Sequence, residues 1–169
     1  MFHAEKKMDR ADNYRFMVAA VQSLIEDEPN RIACLSNISA IIHFYMDTIN
    51  WSGFYLIEAA SGELVLGPFQ GLPACIRIKV GKGVCGTAAA HREVTVVPDV
   101  CAFPGHIACD ANSRSEIVLP ILNPDGTLYG VLDIDSPVTD RFSDLERSAL
   151  VEITKWIEMA LARDRISTE

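Results

Sequence analysis

The sequence has no long apolar run and no excess of positive charge. None of its hydrophobic stretches approaches the roughly 18 residues that a membrane span needs, and its first residues lack the apolar core of a signal peptide. Its 23 acidic and 15 basic residues give a formal net charge of −8, whereas nucleic acids and anionic membranes attract basic patches. The sequence therefore predicts a cytoplasmic protein that binds neither nucleic acid nor membrane.

The sequence also lacks a CxxC knuckle, although it contains five cysteines. Four of them, Cys75, Cys85, Cys101 and Cys109, are separated by 10, 16 and 8 residues, which is not the spacing of a structural zinc site. We therefore expect no metal, and a zinc-stabilised interaction domain remains an alternative. Persistent disulfides are rare in the cytosol, so the thiols indicate reactive chemistry or small buried side chains. For Cys34 we favour the second role.

The sequence contains enough apolar residues for the core of one domain. Its hydrophobic pattern changes along the chain from helical spacing to strand alternation. Its 169 residues are 49% hydrophobic, which predicts a single domain over residues 1–169. Helical spacing predicts an N-terminal helix within about residues 1–27 and a second helix beginning near Asn30. Two hairpins with turn signals follow, and a capping box at Ser143 begins a closing helix. This order predicts an α+β domain whose core spans about residues 30–165, with helices on one face of an antiparallel sheet and a ligand site on the other.

Two pairs of side chains share strand faces in this scheme. Alternation places Trp51 and Tyr55 on one face of the first strand, and Asp133 and Asp135 on one face of the last strand. The strand pattern alone favours a core role for the two aromatic residues. Like charges at neighbouring positions of one face repel, so the aspartates indicate either a binding site or a solvated sheet face.

A glycine-rich turn lies between the hairpins. Residues 81–86 read GKGVCG, which matches the GxGxxG pattern, but the helix that follows is too short for the crossover of a dinucleotide-binding fold. The start of this short helix offers N–H groups to an anion. The same dipole is expected to favour the thiolate form of Cys85.

Six short motifs resemble those of the free methionine-(R)-sulfoxide reductases, which are single GAF domains. They are GPFQG, CIRI, GKGVCGTA, GHIACDA, SEIVLP and GVLDIDSP. The resemblance extends from the second helix to the last and implies a GAF-like fold with a central antiparallel sheet of about six strands. It also implies thiol-dependent reduction of free L-methionine-(R)-sulfoxide without a bound cofactor. Thioredoxin is then the external reductant and protein partner, and the protein is expected to be a homodimer.

The resemblance implies a role for each matching residue. Cys109 is the nucleophile that becomes a sulfenic acid, Cys75 forms a disulfide with it, and Cys85 is a supporting or alternative resolving thiol. The substrate pocket is implied to contain five residues: Trp51, Tyr55, Glu116, Asp133 and Asp135. The alternative is a non-catalytic GAF domain that binds a small molecule or senses redox state.

The chemistry of sulfoxide reduction agrees with these roles. A thiolate must attack the sulfur while the departing oxygen gains a proton, and a second thiol converts the resulting sulfenic acid into a disulfide. Three carboxylates crowded on one face do not all ionise easily, so one is expected to keep its proton near neutral pH. The remaining negative charge is expected to bind the ammonium group of a free amino acid.

Overall fold

The central element of the fold is an antiparallel sheet. The computed structural model describes residues 5–6, 9–105 and 110–166. The strands lie in the order β3-β2-β1-β6-β5-β4, and their bounds are Trp51–Glu58 (β1), Glu63–Gly71 (β2), Arg77–Ile78 (β3), Thr95–Val97 (β4), Ser115–Leu122 (β5) and Leu128–Ser136 (β6). The helices are Arg10–Ile25 (α1), Arg31–Tyr45 (α2), Gly83–His91 (α3) and Asp144–Ile166 (α4), with a 3₁₀ turn at Val100–Ala102. This architecture confirms the predicted α+β fold.

Three helices cover one face of the sheet. Helix α1 contacts α2 and α4, while α2 packs on β1 and β2 and α4 packs on β5. The side chain of Asp9 accepts a hydrogen bond from the Ala11 N–H, and that of Asn30 accepts one from the Ala33 N–H, both at 3.0 Å. These N-caps satisfy donors that a helix start leaves free, and they set the two helix starts close to where the sequence predicted them.

The opposite face carries a second, smaller apolar cluster and the short helix α3. This helix contacts β3, β4, β5 and β6, and its residues Val84, Cys85, Ala88 and Ala89 are buried against the sheet. The face predicted to hold a ligand is therefore partly roofed. Within the described ranges, no helix combines the length and apolarity needed to cross a bilayer.

A bulge at the start of β6 departs from simple alternation. Ile121 pairs with Gly130 but Leu122 pairs with Leu128, so Tyr129 is the extra residue. Strict alternation would place Leu128 on the face covered by the long helices and Tyr129 opposite. The bulge reverses both: Tyr129 packs against the large cluster and Leu128 against the small one.

The start of α4 contains a buried carboxylate. Glu146 is fully buried and accepts hydrogen bonds from the Tyr14 hydroxyl at 2.8 Å, from Arg141 at 2.9 Å, and from the Ser143 N–H at 2.9 Å and hydroxyl at 2.6 Å. The Ser143–Glu146 pair confirms the predicted capping box. The neighbouring Leu145 is 40% exposed because Glu146 occupies the inward position.

Candidate active site

Strand register gathers the three predicted carboxylates on the face beneath α3. Glu116 on β5 lies directly opposite Asp135 on β6, and Asp133 lies two residues along on the same face. The β1 residues that pair with these aspartates are Trp51, opposite Asp135, and Gly53, opposite Asp133. The sheet thus brings acidic side chains from β5 and β6 next to an aromatic residue of β1.

Two of the three carboxylates are buried rather than solvated, and the third, Asp135, is half-buried. Glu116 and Asp133 are each 6% exposed, which contradicts the alternative of a solvated sheet face. Burial raises the pKa of Asp133 to about 6, although its contacts with Cys85 and Glu116 oppose the shift. Burial, reinforced by the charge of Asp133, raises the pKa of Glu116 and of Asp135 well above the ordinary range. The prediction that not every carboxyl group ionises near neutral pH thus has a structural basis.

Cys85 lies at the start of α3 and faces the same carboxyl groups. Its Sγ is 3.8 Å from Glu116 Oε1, and its side chain is 4% exposed. Burial, together with the negative charge of Asp133, raises the pKa of this thiol well above its ordinary value. The expectation that the helix dipole favours the thiolate is therefore wrong: desolvation and a full negative charge outweigh a partial charge at a helix end.

Stacked aromatic rings form one wall. Trp51 and Tyr55 stack with ring centroids 5.9 Å apart, and Phe69 also stacks on Trp51, with ring centroids 5.4 Å apart. The Trp51 indole N–H donates to the Leu72 carbonyl at 3.2 Å, and the Tyr55 hydroxyl donates to the Cys75 carbonyl at 3.0 Å. Both rings belong to the small apolar cluster and also line the cavity, so the core and pocket interpretations both hold.

The described cysteines differ in state. Cys75, on the loop before β3, is disulfide-bonded and half-buried. Cys34, Cys85 and Cys101 are free thiols, and Cys101 is exposed. Cys109, to which the resemblance assigns the attack on sulfur, lies outside the described residues.

A polar cluster that the sequence analysis missed joins the start of β1 to the segment that follows Cys109. The Asn50 side-chain amide donates to Asp110 Oδ2 at 2.8 Å and to the Ser113 hydroxyl at 3.0 Å. Ser113 also hydrogen-bonds the side chain of Asp135. Asn50 directly precedes a predicted strand, a position where a polar side chain is ordinary, so no local pattern singles it out.

These elements enclose one cavity of about 490 Å³, including its open mouth. Its floor is acidic, one wall is aromatic, and the start of α3 forms its roof. Thirteen residues line it: Trp51, Tyr55, Ala74, Ile78, Lys82, Gly83, Val84, Cys85, Asp110, Ser113, Glu116, Asp133 and Asp135. The five predicted pocket residues and Cys85 are all among them. Such a cavity suits a small molecule with a cationic end and an apolar end.

Comparison with known proteins assigns this chain to a family. The GAF domain model matches residues 30–161. The free methionine-R-sulfoxide reductase of Escherichia coli is 46% identical over 92% of this chain and 92% of its own length.

Solved structures give the same result. The structure of fRMsr of Staphylococcus aureus in complex with substrate is 56% identical over 88% of this chain and 95% of its own, with a TM-score of 0.82. The free methionine-R-sulfoxide reductase of Neisseria meningitidis, in complex with its substrate, is 41% identical over 99% of this chain and 97% of its own, with a TM-score of 0.89. The chain therefore belongs to the GAF domain family and, within it, to the free methionine-R-sulfoxide reductases.

Proposed function

We propose that this protein is an oxidoreductase that converts free L-methionine-(R)-sulfoxide to methionine. The observation that carries the proposal is the acidic floor of the cavity under an aromatic wall, formed by buried Glu116 and Asp133 and half-buried Asp135. A free amino acid presents an ammonium group, which such a floor attracts. The relatives with this name in Escherichia coli and Saccharomyces cerevisiae support the assignment.

Substrate orientation follows from the distribution of charge in the cavity. The ammonium group binds the Asp133–Asp135 side, where Asp133 Oδ1 is buried without a hydrogen-bond partner among the described residues. The methyl sulfoxide end lies against the Trp51 and Tyr55 rings. The substrate carboxylate binds near Lys82 and the first N–H groups of α3.

We assign the role of general acid to Glu116. Among the coupled carboxyl groups Asp133 ionises first, with a pKa of about 6, while Glu116 keeps its proton because burial and the Asp133 charge raise its pKa well above the ordinary range. Glu116 donates this proton to the sulfoxide oxygen as the S–O bond breaks. General acid help of this kind contributes typically ~10²–10⁴-fold.

The thiol steps use two cysteines in sequence. Cys109 attacks the sulfoxide sulfur, and transfer of the oxygen leaves methionine and a Cys109 sulfenic acid. The Cys75 thiolate then attacks this sulfenic sulfur, forming a disulfide and releasing water. The state of the described cysteines supports the use of Cys75: it is disulfide-bonded, while Cys34, Cys85 and Cys101 form no disulfide bond.

Cys85 has a secondary role in this scheme. Its burial and raised pKa make it a poor nucleophile, so we propose that it resolves the sulfenic acid slowly, when Cys75 is absent. The scheme requires no bound cofactor. An external dithiol protein of the thioredoxin type reduces the disulfide, and half-buried Cys75 is the sulfur that it reaches.

The setting of the enzyme is also part of the proposal. Free thiols at Cys34, Cys85 and Cys101 fit a reducing compartment, and we place the protein in the cytoplasm. We propose a single domain with its core over residues 30–165, and a homodimer as the working assembly.

The test is turnover with a thioredoxin reducing system and four substrates: the free R epimer, the free S epimer, N-acetyl-methionine-(R)-sulfoxide and a peptide-bound form. We expect rapid consumption of the free R epimer and little consumption of the other three. If all four are consumed equally, the acidic floor does not select the free amino acid. If none is consumed, the protein is a non-catalytic binding or sensing domain.

A further inference from the structure

The cavity floor contains three potential metal ligands of mixed chemistry. One ligand atom each from Cys85, Glu116 and Asp133 lies within 4.8 Å of the other two, and Cys85 Sγ is 3.8 Å from Glu116 Oε1. The side chains are more than nine-tenths buried, at 4%, 6% and 6% exposure. The zinc site considered from the sequence drew on Cys75, Cys85, Cys101 and Cys109. Of the three ligands in the present set, only Cys85 belongs to that group.

A second observation indicates that the carboxylate of Asp133 can accept a positively charged partner. Asp133 Oδ1 is buried and has no hydrogen-bond partner among the described residues, although Asp133 lines the cavity. A buried carboxylate oxygen without a donor is costly. A cation bound beside Asp133 would supply the missing partner.

We propose that Cys85, Glu116 and Asp133 form a binding site for a divalent cation of the zinc type. Ligand atoms around a tetrahedral zinc ion lie roughly 3.5 Å apart, given bond lengths of about 2.0–2.3 Å, and the Cys85–Glu116 separation is close to that value. One sulfur and two carboxylate groups suit zinc better than the hard cations Mg²⁺ and Ca²⁺, which prefer oxygen ligands alone.

Binding breaks the Cys85 S–H bond and the Glu116 O–H bond and forms metal–sulfur and metal–oxygen bonds, and both displaced protons pass to solvent. No electron is transferred. The ion then occupies the place proposed above for the substrate ammonium group, so metal and substrate exclude each other. This consequence rests on the proposed function, whereas the metal site itself does not.

The test uses the full chain in its disulfide-bonded form, without added thiol reductant, because the remaining free thiols are then Cys34, Cys85 and Cys101. Co²⁺ is the probe, since thiolate coordination gives it a charge-transfer absorption band, and Zn²⁺ is added afterwards to displace it. We expect one Co²⁺ per chain and loss of the band on adding Zn²⁺. Cys85→Ser should abolish the band. Asp133→Asn and Glu116→Gln should each weaken binding by roughly tenfold or more.

Cys101→Ser is the matched control, because Cys101 is a free thiol on the surface, and it should leave both band and affinity unchanged. Circular dichroism of each variant establishes that it is folded. The proposal is overturned if the band survives Cys85→Ser, if it vanishes in Cys101→Ser, or if wild type and Asp133→Asn bind Co²⁺ equally. Retained metal binding in a protein that does not reduce methionine sulfoxide would refute the proposed function but not the site.

Discussion

Asp133 is subject to two opposing requirements, one from substrate binding and one from the stability of the fold. In the proposed complex its charge holds the substrate ammonium group, yet burial raises its pKa to about 6. A carboxylate held in this way destabilises the unliganded fold, because the unfolded chain ionises it more easily. Placing charge at a binding site at the expense of stability is a common compromise in enzymes.

This conflict predicts that Asp133→Asn stabilises the protein at neutral pH. With a folded pKa of about 6 against an ordinary value of 3.8, the folded state binds more protons between these values, so stability falls as pH rises from about 4 to 6. A shift of this size corresponds to about 3 kcal/mol. In urea unfolding we expect the variant to exceed wild type by about 1–3 kcal/mol at pH 7.5, with a smaller difference at pH 4. A variant less stable at both pH values would show that the charge is not unfavourable there.

The same titration predicts a pH dependence of substrate binding. Below about pH 6 Asp133 gains a proton, and the attraction for an ammonium group weakens. We expect the KM for free methionine-(R)-sulfoxide to rise as pH falls through about 6, with a smaller change in kcat. Asp133→Asn should have a high KM that no longer varies in this range. A wild-type KM that is constant from pH 5 to 8 would contradict the assignment.

Strand alternation was the signal that predicted the positions of single site residues from the sequence. The period of β6 placed Asp133 and Asp135 together, and the structure has them so. Their burial could not be predicted, because it depends on α3 lying above them, a contact between parts far apart in the chain. Asn50 was missed for the same reason: its partners Asp110 and Ser113 are distant in sequence.

At the scale of elements, the start of α4 is fixed by a polar cluster around Glu146. We predict that Glu146→Gln destabilises the fold by about 2 kcal/mol at pH 7, because Tyr14, Arg141 and Ser143 lose a charged acceptor. Although burial opposes the shift, these hydrogen bonds lower the pKa of Glu146 from 4.5 to about 2. The stabilisation is therefore present above pH 4.5 and lost as pH falls toward 2.

Thermal or urea unfolding from pH 2 to 7 measures this effect. The difference between wild type and Glu146→Gln should shrink toward zero at the acid end. Glu152→Gln on the same helix is a suitable control, since Glu152 is an exposed carboxylate. A difference that does not vary with pH would mean that packing, rather than charge, anchors the helix.

The segment after Cys109 is attached to the sheet through Asn50. We predict that Asn50→Ala lowers kcat/KM by about tenfold, because Asp110 and Ser113 lose a shared donor and the adjacent cavity wall loosens. Asn112→Ala, an exposed position in the same segment, is the control and should keep wild-type rates. Steady-state kinetics and a melting curve test this together. Equal kcat/KM in both variants would rule out a positioning role for Asn50.

Short-range sequence signals, such as capping residues, predicted most of the helices and strands. Caps at Asp9 and Asn30 and the box at Ser143 and Glu146 satisfy backbone groups within a few residues, so the helix starts were visible in the sequence. The β6 bulge at Tyr129 was not, because it reflects pairing with β5.

For the whole molecule, the two-cysteine scheme makes a definite kinetic prediction. Cys109→Ser should abolish even the first turnover, since no sulfenic acid forms. Cys75→Ser should allow one stoichiometric turnover but lose rapid recycling, with Cys85 as a slow substitute. Cys101→Ser should behave as wild type. Single-turnover assays with peptide mapping check this, and either a Cys85–Cys101 bridge or an active Cys109→Ser enzyme would refute the scheme.

In the proposed function, the carboxylates of the cavity floor select a free amino acid over one whose amino group is blocked. This selectivity is measured as the ratio of kcat/KM for free methionine-(R)-sulfoxide to that for its N-acetyl derivative, in wild type, Asp133→Asn and Asp135→Asn. We predict a large ratio in wild type and a fall of about tenfold or more in each variant, because the charge that pairs with the ammonium group is removed. A wild-type ratio near one, or a ratio that both variants retain, would contradict the account.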